Sequence, residues 1–367
     1  MMAARAAVLL LLLTVGAMPA AATSDPIRRI AVNGIPNDVT VFRGNLWVAD
    51  GQHPRVIEID PTSGNVVRTV RVLGGVERVA SGMGGVWAAG FHGTFRVDGP
   101  EPHGVRTEAT YSPVVAVGGG GLFSQDGDGS VSRIDPESGE ILWTTRAARD
   151  VGDLQSRVSR DLAASRHGVW LADGTTGEVV RISMDGRRLE RIPIGPAFEE
   201  VEPDVVREGA YVETVAVGGG SVWVCCNLRY QVVRLDPETG SITGTVDVAV
   251  GGGDVAMVFG AGSLWMSESL GSIYRVDPRS LEVTGPVDLD RSPDALTVGE
   301  GSLWSVEGES RGEISEVPLA EFEGLVGAGD DDERTPSAIW PVTYLAAGVV
   351  LLVALWMSLR RPRPRPV

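Results

Sequence analysis

Seven short segments, each built around one aromatic residue, recur along the chain. They read GNLWVAD around Trp47, GGVWAAG around Trp87, GGLFSQD around Phe123, HGVWLAD around Trp170, GSVWVCC around Trp223, GSLWMSE around Trp265 and GSLWSVE around Trp304. The intervals are 40, 36, 47, 53, 42 and 39 residues. A unit of about 43 residues is the period of a four-stranded propeller blade. Such a unit cannot bury its apolar face alone, so the copies must stack on one another. Before each aromatic stands an alternating run such as Thr214-Val215-Ala216-Val217, ending in a glycine pair. About 12 residues after it come Ile59-Asp60-Pro61, Val97-Asp98, Ile134-Asp135-Pro136, Ile182-Ser183, Leu235-Asp236-Pro237 and Val276-Asp277-Pro278. In the Asp-Pro-x-x-Gly pieces at Asp60, Asp135 and Asp236, proline presets φ and glycine takes the positive-φ position of a hairpin turn. One repeat therefore reads as strand a, glycine turn, strand b with the aromatic, loop, strand c, turn, strand d.

The seventh repeat lacks its fourth strand. Ile27-Arg28-Arg29-Ile30-Ala31-Val32 has the pattern of Val67-Arg68-Thr69-Val70-Arg71-Val72 and supplies it from the other end of the chain. The expected fold is all-β: a seven-bladed β-propeller over residues 27–319, closed by its N-terminal strand so that no blade is left with an unpaired position.

All 32 basic residues among the 367 are arginine. A P-loop lysine, a Schiff-base lysine and a lysine general base are thereby excluded. The 48 acidic residues give a net charge of −16, which argues against nucleic acid as a partner, since phosphate binding needs a basic face.

The ends predict a compartment. Residues 1–22 read as a signal peptide, with Arg5, an apolar core from Val8 to Leu13 and a small-residue cleavage site at Ala20-Ala21-Ala22. Residues 339–359 run without a charge and are followed by Arg360, Arg361, Arg363 and Arg365, the pattern of a transmembrane helix with a basic cytoplasmic tail over 360–367. Residues 320–337 read as a polar stalk, and no LPxTG sequence precedes the span as it would in a sortase-type tail. The expected topology is a single-pass membrane protein with its propeller outside the cytoplasm. Without signal and tail the body holds 27 arginines against 48 acids, about −21.

The run GSVWV at Gly220 to Val224, followed by RLDPETG at Arg234 to Gly240, resembles the bacterial YVTN-type and streptogramin-lyase-like (virginiamycin B lyase-like) propellers over roughly residues 27–319. Relatives of this kind include binding modules, sensor ectodomains and enzymes. The lyase resemblance implies a histidine base and a Mg²⁺ near the channel mouth. Of the four histidines, His103 and His167 are expected on the opposite face, which leaves His53 and His92, each in a b–c loop of blades 1 and 2. Binding of a quinone cofactor, as in other bacterial propellers, is a further class that only the fold suggests.

Ten positions before each aromatic stand Asn37, Glu77, Pro113, Arg160, Glu213, Val255 and Asp294. This column is expected to ring the channel mouth as a ligand site. Its carboxylates Glu77, Glu213 and Asp294, with Asn37, suit a hard cation such as Mg²⁺ or Ca²⁺. The alternative is a hydrated rim in which Arg160 pairs one acid. Two positions later the column is apolar throughout, from Val39 to Leu296, and belongs to the core. The b–c and d–a connections share one face, which carries insertions at Ala148–Ser159 and Gly195–Val212. The second holds Glu199, Glu200, Glu202, Asp204 and Glu208 and is the expected partner surface. Asp126-Gly127-Asp128-Gly129-Ser130 opens like a calcium loop but carries Val131 where glycine is needed, and reads as a turn. Cys225 and Cys226 are expected to point to opposite faces of one strand. The function expected is a membrane-anchored, non-enzymatic scaffold that binds a ligand or protein; the alternative is a metal-dependent lyase or hydrolase at the channel mouth.

Overall fold

The two-residue period of each repeat folds into one antiparallel sheet. In blade 5 the strands are Val212–Gly218, Ser221–Cys226, Gln231–Leu235 and Ile242–Asp247, hydrogen-bonded in chain order. A computed structural model describes residues 27–327 except 106–112, 127, 149–159, 175, 196–198, 203–204, 208–211, 227–230, 249–254, 269 and 308–311. It contains seven such four-stranded sheets. Their inner strands touch in a closed cycle: Pro36–Phe42, Val76–Gly82, Val114–Gly118, Arg160–Ser165, Val212–Gly218, Met257–Gly260, Ala295–Gly299 and back to Pro36–Phe42.

Closure follows the sequence expectation. Blade 7 takes three strands from the C-terminal part and its outer strand, Arg28–Ala31, from the N-terminal part, with Arg28 opposite Glu316 and Ile30 opposite Ile314. Glu313–Pro318 is thereby paired on both sides, as strand c is in the other blades.

The apolar residues gather into seven clusters, each between two neighbouring blades. Every repeated aromatic sits in the wedge toward the next blade, Trp47 against blade 2 and Trp304 against blade 1, and all seven are buried. The apolar column of the inner strands is core, from Val39 to Leu296, with Met257 partly buried.

The repeated arginines do more than face solvent. Arg96, Arg133, Arg181 and Arg234 on strand c lay their guanidinium groups over Trp87, Phe123, Trp170 and Trp223, 5.4 to 6.0 Å from the ring centroids. In blades 1 and 7 strand c carries Glu58 and Glu316 instead, and the arginine comes from strand d. Arg68 lies 4.8 Å over Trp47 and bonds Glu58 at 2.6 Å; Arg28 lies 6.0 Å over Trp304 and bonds Glu316 at 2.6 Å. The N-terminal strand thus repeats the device of blade 1 atom for atom.

Trp265 is the exception among the aromatics. Phe322, on a short helix over Phe322–Leu325, meets it edge-on at 4.8 Å and is fully buried, while Arg275 turns to Glu323 at 2.8 Å. Leu319, Leu325 and Val326 pack on the same cluster. Residues 320–327, expected as the start of the stalk, instead include apolar side chains that complete the wedge between blades 6 and 7. Among the described residues no helix is long and apolar enough to cross a membrane. The signal peptide, the remainder of the stalk, the span at 339–359 and the tail lie outside the described residues.

Candidate functional site

The inner strands of blades 1, 2 and 5 each begin with a β-bulge. Pro36 pairs with Asp50 but Asp38 with Ala49, Val76 pairs with Gly90 but Arg78 with Ala89, and Val212 pairs with Cys226 but Thr214 with Cys225. The extra residues are Asn37, Glu77 and Glu213, three members of the column expected at the channel mouth. A bulge re-aims the side chains around it; besides the column itself, polar contacts between inner strands are made one position later, by Asp38, by Thr214 and, in the unbulged inner strand of blade 4, by Asp161.

Asp38 accepts the amides of Val39 at 2.9 Å and Val79 at 2.8 Å, tying blade 1 to blade 2. Asp161 does the same between blades 4 and 5, accepting from Leu162 N at 2.8 Å, Val215 N at 3.0 Å and the Thr214 hydroxyl at 2.8 Å. Both are half-buried. Burial lifts the Asp38 carboxyl to about 6, against the pull of Arg78 and of its two amides, and the Asp161 charge adds to the lift. Burial likewise raises Asp161 against its three donors and Arg78. Asp38 and Asp161 stand one residue beyond the column expected at the channel mouth, and an acid immediately before the apolar core position is their signal in the sequence.

The expected residues are distributed as follows. Asn37 Nδ2 donates to Glu77 Oε2 at 3.3 Å, joining blades 1 and 2. Glu213 is buried beside Thr214, and Asp294 is exposed between blades 6 and 7. Arg160 lies in the inner strand of blade 4, its side chain outside the description. Among the described residues no group of three or more His, Cys, Asp or Glu side chains is placed to hold a metal ion.

His53 and His92 are both exposed on b–c loop tips. His53 Nδ1 lies 3.0 Å from Asp50 Oδ2, and Asp50 also accepts from Arg55 Nε at 2.6 Å, Gln52 N at 3.0 Å and Ile35 N at 3.2 Å. Burial pushes the Asp50 carboxyl up, but these donors together, Arg55 foremost, hold it below the usual carboxylate range. Asp50 has a counterpart three residues after most aromatics, in Asp126, Asp173, Glu268 and Glu307. Glu268 accepts the amides of Leu270 and Ser272, and Glu307 takes Arg291 at 3.0 Å and the Ser315 hydroxyl at 2.8 Å. Asp50 and Glu268 thus hold the amides of their b–c loops, a role that recurs at a fixed distance from the aromatic in the sequence. At the other turns, Asp128 accepts Ser130 N at 2.8 Å within the calcium-like segment, consistent with a turn. Cys225 is buried between blades 5 and 6; the side chain of Cys226 is outside the description.

Between blades 4 and 5 the d–a connection forms a hairpin of its own, Glu199–Glu202 against Val205–Arg207, separate from every blade. Glu199 stands opposite Arg207 and Glu202 opposite Val205. Three of the five expected partner-surface acids, Glu199, Glu200 and Glu202, lie on its first strand, with their side chains outside the description; Asp204 and Glu208 fall outside the described residues altogether.

The family described as outer membrane protein assembly factor BamB matches residues 29–283, the closing strand, blades 1 to 5 and the first three strands of blade 6. The chain belongs to this family. BamB from Moraxella catarrhalis superposes with a TM-score of 0.51 at 12% identity, over 77% of this chain and 83% of that one. U3-55K gives 0.63 at 12%, over 80% and 98%, and the computationally designed Ika8 protein gives 0.55 at 12%, over 78% and 96%. Identities this low carry the propeller fold alone. No curated protein matches the sequence. Membership in the BamB family fixes the propeller repeat; the streptogramin-lyase type is not carried by these likenesses.

Proposed function

We propose that this BamB-family propeller is a non-enzymatic, membrane-tethered scaffold outside the cytoplasm that holds a protein partner on the face formed by its b–c and d–a connections. The observation that carries the reading is the added hairpin Glu199–Glu202 and Val205–Arg207. It lies outside the seven-bladed framework, adds nothing to ring closure, and projects from the face where rigid scaffolds commonly graft binding loops. The family description, assembly of outer membrane proteins, supports a protein rather than a small molecule as the partner. The apolar run 339–359 supports tethering. The lyase-like alternative finds less support: His53 and His92 stand on exposed loop tips one strand back from the channel, and His53 Nδ1 is occupied in fixing its own loop on Asp50.

Site-specific photocrosslinkers at Glu200 and Val206, in cells of the native host, test the reading. One defined protein adduct is expected, lost with a deletion of 199–207 that leaves the melting temperature unchanged. Adducts arising only from the opposite face, at Glu137 or Arg279, would overturn it.

A further inference from the structure

Among the described residues, the added hairpin is the one sheet with only two strands. Glu199–Glu202 and Val205–Arg207 pair with each other and with no third strand among the described residues, so each keeps a free row of backbone N–H and C=O groups on its other side. Two strands alone are marginal in water, and a third supplies the stability that an isolated pair lacks. The outer strands of the blades differ in this respect. Ile242–Asp247 of blade 5 also has a free edge, but three strands back it and Val246 packs into the wedge toward blade 6.

The register fixes what an added strand would meet. Glu199 stands opposite Arg207, Glu200 opposite Val206 and Glu202 opposite Val205, with a bulge between Glu200 and Glu202. The first strand thus reads Glu-Glu-Val-Glu and the second Val-Val-Arg. Over 199–208 the sequence is EEVEPDVVRE, in which Arg207 is the single cation against Glu199, Glu200, Glu202, Asp204 and Glu208.

Opposite charges on facing strand positions are favourable and like charges are destabilising. A second copy of the hairpin laid along its own first strand would set glutamates beside glutamates, which is how natural sheets guard a free edge against self-pairing. The same edge is complementary to an extended chain that carries arginine or lysine.

We propose that the edge Glu199–Glu202 takes a third strand from the partner protein, an extended segment rich in arginine or lysine, added through backbone hydrogen bonds. The proposal rests on the scaffold reading and adds the mode of attachment and the chemistry of the segment bound. In strand addition the main chain supplies affinity and the side chains supply selectivity. Here the glutamates select a basic strand, and the open row of N–H and C=O groups holds it.

The probe is a fluorescein-labelled heptapeptide of alternating arginine and valine. Beside it stands a copy with every internal peptide nitrogen methylated, equal in charge but without backbone donors. Binding to the full chain in detergent micelles is read by fluorescence anisotropy at about 150 mM salt, where attraction between distant surface charges is screened. The parent peptide is expected to bind and the methylated copy to bind about tenfold more weakly or worse. A peptide of alternating glutamate and valine should not bind. Removal of 199–207 should abolish binding of the parent. The combined changes Glu199→Gln, Glu200→Gln and Glu202→Gln, which leave the length of the hairpin intact, should weaken it several-fold. Equal binding of the parent and methylated peptides, binding that survives removal of 199–207, or no binding of the parent would each overturn the proposal. Partner crosslinks from Glu200 and Val206, found together with a peptide indifferent to methylation, would sink strand addition and leave the scaffold reading standing. Crosslinks confined to the opposite face sink the scaffold reading itself.

Discussion

Asp38 works against the usual dependence of stability on pH. Its carboxyl titrates near 6 in the folded protein against 3.8 ordinarily, so between those values the folded state binds more protons than the unfolded one. Stability then falls as pH rises through this window, by up to about 3 kcal/mol for a shift of this size. Asp161 acts in the same direction, whereas Asp50 and Asp98, held low by their donors, lose stabilisation only below the ordinary carboxylate range. Thermal melts from pH 8 to pH 5 should therefore show a rising melting temperature, with a visibly flatter slope in Asp38→Asn. A wild-type melting temperature that falls on acidification over this range would contradict the assignment. The sequence offered this residue but not its role. Asp38 stands one position beyond the column counted from the tryptophans, and the bulge that shifts the count arises from how the inner strand starts, which no periodicity reports.

Individual strands were the most legible level. Alternation, glycine pairs and Asp-Pro turns located all four strands of a blade, because each depends on a few neighbouring residues. Left-handed turn positions fall where expected at Gly64, Gly139 and Gly240, with φ of 71°, 75° and 72°. Blade 6 has Leu281 at φ 61° in the same place. Less visible was why strand a ends in glycine. A Cβ on Gly218 would fall 2.1 Å from the Phe259 ring of the next blade, and one on Gly260 2.5 Å from Val298. The glycine lets two inner strands approach and leaves its carbonyl free to accept the indole of its own blade, Trp223 Nε1 to Gly218 O at 3.1 Å. Gly218→Ala should cost about 1–3 kcal/mol by forcing the inner strands apart. Gly220→Ala, with open space around it but a φ of 76°, should cost through backbone strain instead. Urea denaturation separates them: shortening Phe259 to Leu should recover part of the loss for Gly218→Ala and none for Gly220→Ala. Equal behaviour of the two double mutants would refute the steric account.

Ring closure tests the molecule as a whole, since seven wedges are stable only if the first blade meets the last. Two separate seals hold that junction and its neighbour. One is the strand Arg28–Ala31, with Ile30 buried between blades 7 and 1 and Arg28 clamping Trp304 and Glu316. The other is Phe322, filling the wedge of blades 6 and 7 where an arginine would otherwise lie on Trp265. The first was legible because its pattern copies the strand around Arg68; the second was hidden because it belongs to no repeat. They should fail differently. Phe322→Ala removes a buried ring inside an otherwise intact ladder and should lower stability by about 3–5 kcal/mol while unfolding stays cooperative. Removal of residues 27–32 exposes the whole edge of Glu313–Pro318 along with the wedge, so the protein should associate with itself as concentration rises, because an open strand edge pairs with any other. Sedimentation velocity across a hundredfold concentration range distinguishes the two. A truncated chain that stayed monomeric with an unchanged melting temperature would mean that the N-terminal strand decorates the ring rather than closing it.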